Sequence, residues 1–74
     1  MTSYTIDVTR IEELQTIRDL DTLENIFTRA KSTIVNGESV ILVRSQGGKK
    51  PEKFDEMTTL EDLETYRDSV FKYL

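Results

Sequence analysis

The sequence contains no cysteine and no histidine among its 74 residues. Without cysteine, neither a disulfide nor a thiolate zinc site can form. Without histidine, the commonest neutral metal ligand and the usual proton carrier near neutral pH are missing. A chain this short buries only about 60% of the surface that its unfolded form exposes. We therefore expect its core to depend on ordinary packing, or to be completed by self-association.

Long apolar runs are missing as well. The longest one covers residues 40–43, whereas a helix needs about 20 apolar residues to cross a bilayer. The first residues show no basic region followed by an apolar run, so we expect no signal peptide. These absences predict a cytoplasmic protein that has no contact with a membrane.

Basic residues are outnumbered by acidic ones, ten to fourteen, which gives a formal net charge of −4. This balance disfavours general nucleic-acid binding, because such binding requires a basic surface that displaces counterions. The hydrophobic fraction of 36% falls in periodic segments, which is typical of a folded domain. No repeat, low-complexity tract or long linker divides the chain. We therefore predict a single domain over residues 1–74.

Three short polar residues are each followed by a glutamate three positions later, just ahead of a periodic apolar run. This is the capping-box pattern, in which two side chains satisfy free backbone N–H groups at the start of a helix. Apolar residues then recur at helical spacing. The predicted boxes are Thr9–Glu12, Asp21–Glu24 and Thr58–Glu61, and the predicted helices cover residues 9–18, 22–35 and 59–73.

The apolar stripes of these helices are the predicted core. The stripe of the first helix is short, and those of the second and third have five members each. Arg67 falls near the middle of the third stripe, with Tyr66 at its margin. The members of the stripes are Ile11, Leu14 and Ile17, then Leu23, Ile26, Phe27, Ala30 and Ile34, and finally Leu60, Leu63, Val70, Phe71 and Leu74.

Residues 38–45 form the clearest strand of the sequence. They are rich in β-branched residues and apolar on both faces, which predicts a central strand. Residues 4–8 alternate apolar and polar side chains and are a predicted neighbour, and residues 52–56 are a possible third strand. Asn36 and Gly37 end the second helix, because both accept a left-handed backbone. The order predicts an α+β fold, β-α-α-β-(β)-α, with a two- or three-stranded sheet packed against three helices.

Four of the ten basic residues lie within residues 44–53: Arg44, Lys49, Lys50 and Lys53. Two glycines precede the lysine pair, which suggests a phosphate-binding loop. However, a P-loop has four residues between its glycines and a Ser or Thr after its Lys, and this segment has neither. We interpret it as a solvated hairpin loop, with an anion or partner contact as the alternative.

Acidic residues gather around the third predicted helix. Glu61, Glu64 and Asp68 lie on one stripe of this helix, and residues 55–56 precede it. Carboxylates in the first turns stabilise a helix through its dipole, so a solvated face is the simplest interpretation. The spacing of a calcium loop is absent, and we expect neither a metal nor a cofactor. The alternative is a surface that mimics the phosphates of a nucleic acid.

Arg67 is the most informative single residue. Either its stem lies along apolar surface while its charged end reaches water, or it pairs with a carboxylate at an interface. Arg18 occupies a similar position on the first predicted helix. The candidate partner interface consists of Arg67, Tyr66, Glu61, Glu64 and Asp68.

No catalytic constellation is present. A nucleophile needs an activating base, and the serines at positions 32, 39, 45 and 69 fall in no nucleophile motif. We predict a non-enzymatic intracellular accessory or regulatory domain that binds another protein. The alternative is an acidic decoy that occupies a nucleic-acid-binding protein. Its phosphate surrogates would be Glu61, Glu64, Asp68, Asp55 and Glu56.

The two-faced strand also predicts a homodimer. A small sheet that is apolar on both faces requires a covering layer on each face. Three short helices would form only a thin layer over them. A second copy would supply the missing cover, either by joining sheets edge to edge or by packing the stripe around Arg67 on its symmetry mate.

Overall fold

The computed structural model describes residues 3–45 and 47–72, which form a three-stranded sheet and three helices. The element order is β-α-α-β-β-α, so the predicted α+β fold is confirmed and the third strand is present. The elements are β1 (Tyr4–Asp7), α1 (Val8–Ile17), α2 (Leu20–Val35), β2 (Val40–Arg44), β3 (Glu52–Met57) and α3 (Leu60–Phe71).

The sheet has the order β1-β2-β3, which confirms the predicted central position of β2. β1 runs parallel to β2, and β3 runs antiparallel to it. A parallel pair requires a long crossover connection, and α1 and α2 supply it. The hairpin between β2 and β3 contains the basic loop.

The helices pack on one face of the sheet. Its buried side chains, Ile6, Val40, Leu42 and Met57, join those of all three helices in a single core. Side chains alternate along a strand, so Ile41 and Val43 lie on the opposite face, where both are half-buried. By register, their neighbours on that face are Thr5, Asp7, Lys53 and Glu56. We call this set of six residues the open face.

The helices begin close to the predicted positions, but the predicted capping residues Thr9, Asp21 and Thr58 are wrong. The N-caps are Asp7, Asp19 and Thr59. Their side-chain oxygens accept hydrogen bonds from the backbone N–H groups of Thr9 at 2.9 Å, Thr22 at 3.1 Å and Asp62 at 3.1 Å. β1 leads directly into α1, so the aspartate at the end of the strand is the residue placed to cap the helix. Thr9 already lies inside the helix.

Two positions of the predicted apolar stripes do not belong to the core. Ile17 is 68% exposed, because α1 ends there and Arg18 adopts a left-handed backbone with φ of 56°. Arg18 is therefore a C-cap and does not continue the helical stripe. Leu60, in the first turn of α3, is 39% exposed. Leu74, another predicted core residue, lies outside the described residues.

The stripe of α2 is confirmed. Leu23, Phe27, Ala30 and Ile34 are buried, and Ile26 is partly buried against the core. The helix ends as predicted, with Gly37 at φ of 83°, where glycine is favoured. The N–H of Gly37 donates to the carbonyl of Ile34 at 2.9 Å.

Candidate functional site

A groove of about 440 Å³ lies between α2 and α3. Phe27 and Leu63 form its buried floor, and the partly exposed Leu60 lies at its edge. We call it the α2–α3 groove. Its remaining lining is polar and carries both signs of charge, from Glu24, Thr28, Lys31, Glu64, Arg67 and Asp68.

Arg67 joins the two helices at the rim of this groove. Its Nη2 donates to Oε1 of Glu24 at 3.0 Å. Its guanidinium carbon lies 4.6 Å from the centre of the Phe71 ring, within the range of a cation–π contact. The stem therefore covers apolar surface while the charged end meets a carboxylate. This carboxylate belongs to the same chain, so Arg67 contributes to the packing of α3 on α2.

The structure brings together three of the five predicted interface residues. Glu64 and Asp68 line the α2–α3 groove with Arg67, and neither makes an ion pair with another described residue. Tyr66 instead lines depressions on the other side of α3, with its ring centre 5.8 Å from that of Phe27. Glu61 is exposed and lines no described depression.

Tyr66 keeps its proton under ordinary conditions. Burial raises the pKa of its hydroxyl to about 12, and the negative charge of Glu12 contributes to the increase. A phenol this weakly acidic is poorly suited to general base or nucleophilic chemistry near neutral pH.

The basic hairpin encloses a second depression, of about 320 Å³. Arg44 Nη1 donates to Glu12 Oε1 at 2.9 Å, and Lys53 donates to Glu56. Lys49 and Lys50 are exposed and bind no other residue of the described part of the chain. We call this the hairpin depression, and its lining is Arg44, Lys49, Lys50, Glu52, Lys53 and Phe54.

Phe54 is the feature of this hairpin that the sequence analysis missed. The register shifts between Leu42, which faces Asp55, and Val43, which faces Lys53, so Phe54 is the extra residue of a β-bulge. Its side chain is 55% exposed. The only available signal was that Phe54 is the one apolar residue within residues 52–56.

Phe54 also borders an apolar depression of about 350 Å³ between the hairpin, α1 and α3. Phe54 and Arg44 line both this depression and the hairpin depression, so the two are neighbours. We call it the apolar trough. The rest of its lining is Val8, Ile11, Glu12, Gln15, Tyr66, Ser69 and Val70.

The closest approach to a catalytic pair is made by Ser45 and Asp7. Ser45 Oγ donates to Asp7 Oδ2 at 2.6 Å, and Thr9 Oγ1 donates to the carbonyl of Ser45 at 3.2 Å. The hydrogen bond from Ser45, followed by those from Thr9, lowers the pKa of the Asp7 carboxyl. A carboxylate with a lowered pKa is a weaker base, so this pair stabilises the end of the sheet and does not activate the serine.

Within residues 3–45 and 47–72, no three acidic side chains come close enough to hold a metal ion. No helix in the same residues is long and apolar enough to span a membrane. Comparisons with protein-family models, curated proteins and solved structures gave no match.

Proposed function

We propose that this chain is a non-enzymatic, cytoplasmic accessory or regulatory domain that binds another protein through the α2–α3 groove. The observation that carries the proposal is the exposure of apolar surface at Leu60, next to the buried floor made by Phe27 and Leu63. Charged side chains surround this apolar patch. An apolar centre inside a polar rim is the usual composition of a protein interface.

The charges of the rim indicate what the partner presents. Glu24 and Arg67 neutralise each other within the chain. Glu64 and Asp68 have no cationic partner among the described residues, so their carboxylates are available to an incoming lysine or arginine. We expect a partner segment with an apolar side chain for the groove and a basic residue beside it, in the manner of a helix laid into a groove.

The acidic-decoy alternative has less support from the arrangement of the carboxylates. A decoy requires one continuous acidic face. Of the predicted surrogates, Glu64 and Asp68 line the α2–α3 groove, whereas Asp55 and Glu56 line a depression on the other side of α3. The divided charge favours a groove-binding domain over a mimic of a phosphate backbone.

Affinity capture with matched variants tests the proposal. The wild-type chain, Leu60→Asp and Val35→Asp serve as baits in a lysate, and mass spectrometry identifies the bound proteins. Val35 is the control because it is 65% exposed and lines no described depression. We expect a partner that the wild type and Val35→Asp retain and Leu60→Asp loses. If all three baits retain the same proteins, the groove is not the contact surface.

The homodimer stays a prediction. It is supported by the open face, where Ile41 and Val43 are half-buried without a covering layer among the described residues. The two contacts expected from the sequence, sheets joined edge to edge or the stripe around Arg67 packed on its symmetry mate, remain predictions. The open face adds a third, in which it packs on the same face of a second copy. Sedimentation equilibrium at micromolar concentration tests it, and a mass equal to that of one chain would contradict it.

A further inference from the structure

We propose that the β2–β3 hairpin is a second docking surface, which binds an acidic segment of a partner protein that also carries an apolar side chain. This surface lies apart from the α2–α3 groove and shares no lining residue with it. It therefore does not depend on the function proposed for that groove.

The positive charge of the hairpin is only partly neutralised. Arg44 and Lys53 pair with Glu12 and Glu56, but Lys49 and Lys50 are exposed without a partner among the described residues. In a chain of net charge −4, this concentration of cations is a local exception. Carboxylates on a partner complement it, and such rim charges favour the encounter of the two proteins.

The apolar half of the surface is centred on Phe54. The β-bulge holds this ring 55% exposed between the hairpin depression and the apolar trough. Val8, Ile11 and Val70 form the apolar side of the trough. A large exposed aromatic ring beside apolar surface is typical of a binding anchor. A ligand that spans both depressions thus places an apolar side chain next to its carboxylates.

The same lining disfavours a nucleic acid as the occupant. Single-stranded nucleic acids bind to grooves that combine an extended row of cations with several stacked aromatic rings. Here Phe54 is the one strongly exposed ring among the described residues. Glu52 lines the hairpin depression and makes no ion pair with another described residue. Its carboxylate would repel a phosphate backbone that follows the hairpin, whereas a peptide can direct its carboxylates towards Lys49 and Lys50.

Fluorescence polarisation with three labelled probes tests the proposal. The probes are a short peptide of alternating leucine and aspartate, the same peptide with lysine in place of aspartate, and an oligothymidylate of similar length. We expect binding of the leucine–aspartate peptide alone, at about 50 mM salt, and weaker binding at about 500 mM salt because exposed charges are screened. No binding of this peptide at low salt, or stronger binding of either other probe, would overturn the proposal.

Matched variants locate the binding. Lys49→Glu/Lys50→Glu should weaken binding of the leucine–aspartate peptide about tenfold, which is within the range expected from the loss of two exposed charge pairs. Arg10→Glu/Arg18→Glu changes the net charge equally, at exposed positions that line none of the described depressions, and should leave the affinity unchanged. An equal loss in both double variants would show that only overall charge matters.

The apolar anchor is tested in the same assay. Phe54→Ala should weaken binding of the leucine–aspartate peptide at least about tenfold. Ile17→Ala, which shortens another exposed apolar side chain, should leave this binding unchanged. Leu60→Asp should bind the peptide like the wild type. A loss of binding in Leu60→Asp with none in Phe54→Ala would place the peptide in the α2–α3 groove and reject the hairpin as its site.

Discussion

Replacement of Asp7 tests how the sheet and α1 are joined. Asp7 is the last residue of β1, and its two carboxylate oxygens bind different elements. Oδ1 accepts the N–H of Thr9 at 2.9 Å in the first turn of α1, and Oδ2 accepts the hydroxyl of Ser45 at 2.6 Å just after β2. One side chain thus connects the start of α1 to the end of a parallel strand pair.

The expected effect of Asp7→Ala follows from these two contacts. Loss of an N-cap costs about 1 kcal/mol, and loss of the hydrogen bond from Ser45 costs about another 1 kcal/mol. We expect the free energy of unfolding to fall by about 2 kcal/mol, a large share of the roughly 5 kcal/mol typical of a small domain. Asp7→Asn retains a capping oxygen without the charge, so we expect it to lose about 1 kcal/mol or less.

Measurements of stability at several pH values isolate the contribution of the negative charge of Asp7. The hydrogen bond from Ser45, followed by those from Thr9, lowers the pKa of the Asp7 carboxyl in the folded state. The resulting stabilisation is complete above the pKa in the unfolded chain, about 3.9, and is lost as the pH falls through the lower folded pKa. The difference in stability between the wild type and Asp7→Asn should therefore stay constant from about pH 7 to about pH 5 and shrink as the pH falls below about 4.

Urea unfolding followed by circular dichroism measures these differences. Asp21→Ala is the control. Asp21 was the cap predicted from the sequence, but it lies in the first turn of α2, where its charge interacts favourably with the helix dipole and caps no backbone N–H group. We expect it to cost no more than about 0.5 kcal/mol. A loss below about 0.5 kcal/mol in Asp7→Ala, or a difference between the wild type and Asp7→Asn that does not change with pH, would refute the reasoning.

Two further predictions concern the core and Tyr66. Leu23 has no exposed surface, so Leu23→Ala should lower the free energy of unfolding in urea by about 3 kcal/mol. Ile17→Ala, at an exposed position, should change it by less than about 0.5 kcal/mol. Similar losses in the two variants would contradict the described core. Ultraviolet titration should show a tyrosine that ionises near pH 12 and is absent in Tyr66→Phe. Because the unfolded chain releases this proton first, near about pH 10, the wild type should lose more stability than Tyr66→Phe as the pH rises from about 10 to about 12.

The elements predicted best from the sequence are α2 and β2, which have the most extended patterns of apolar residues. α2 has sixteen residues and buries a regular stripe, so its period is unambiguous. In β2, Val40 and Leu42 are buried beneath the helices, whereas Ile41 and Val43 are half-buried on the open face between the two neighbouring strands. The stripe of α2 and the inward side of β2 both reflect burial, which is the main driving force for folding.

The capping residues were not predictable from the same kind of pattern. A capping box considers only four residues, but the cap of α1 is fixed by the position where β1 ends. Glu12, which the box assigns to the backbone of Thr9, instead pairs with Arg44, thirty-two positions away. Long-range contacts of this kind leave no local signal. Arg67 is an intermediate case, because its helical position predicted a stem on apolar surface but not that Glu24 would be its partner.

Phe54 shows how a single register shift changes which surface is exposed. In a regular antiparallel register, with Leu42 opposite Asp55, the residue opposite Val43 would be Phe54. Its ring would then lie on the open face, beside Ile41 and Val43. The bulge places Lys53 there instead and leaves Phe54 at the apolar trough. It therefore takes apolar area from the face that would support a homodimer and adds it to the hairpin, beside the unpaired lysines. The ring of Phe54 can belong either to the open face or to the hairpin surface, and the bulge places it in the hairpin surface.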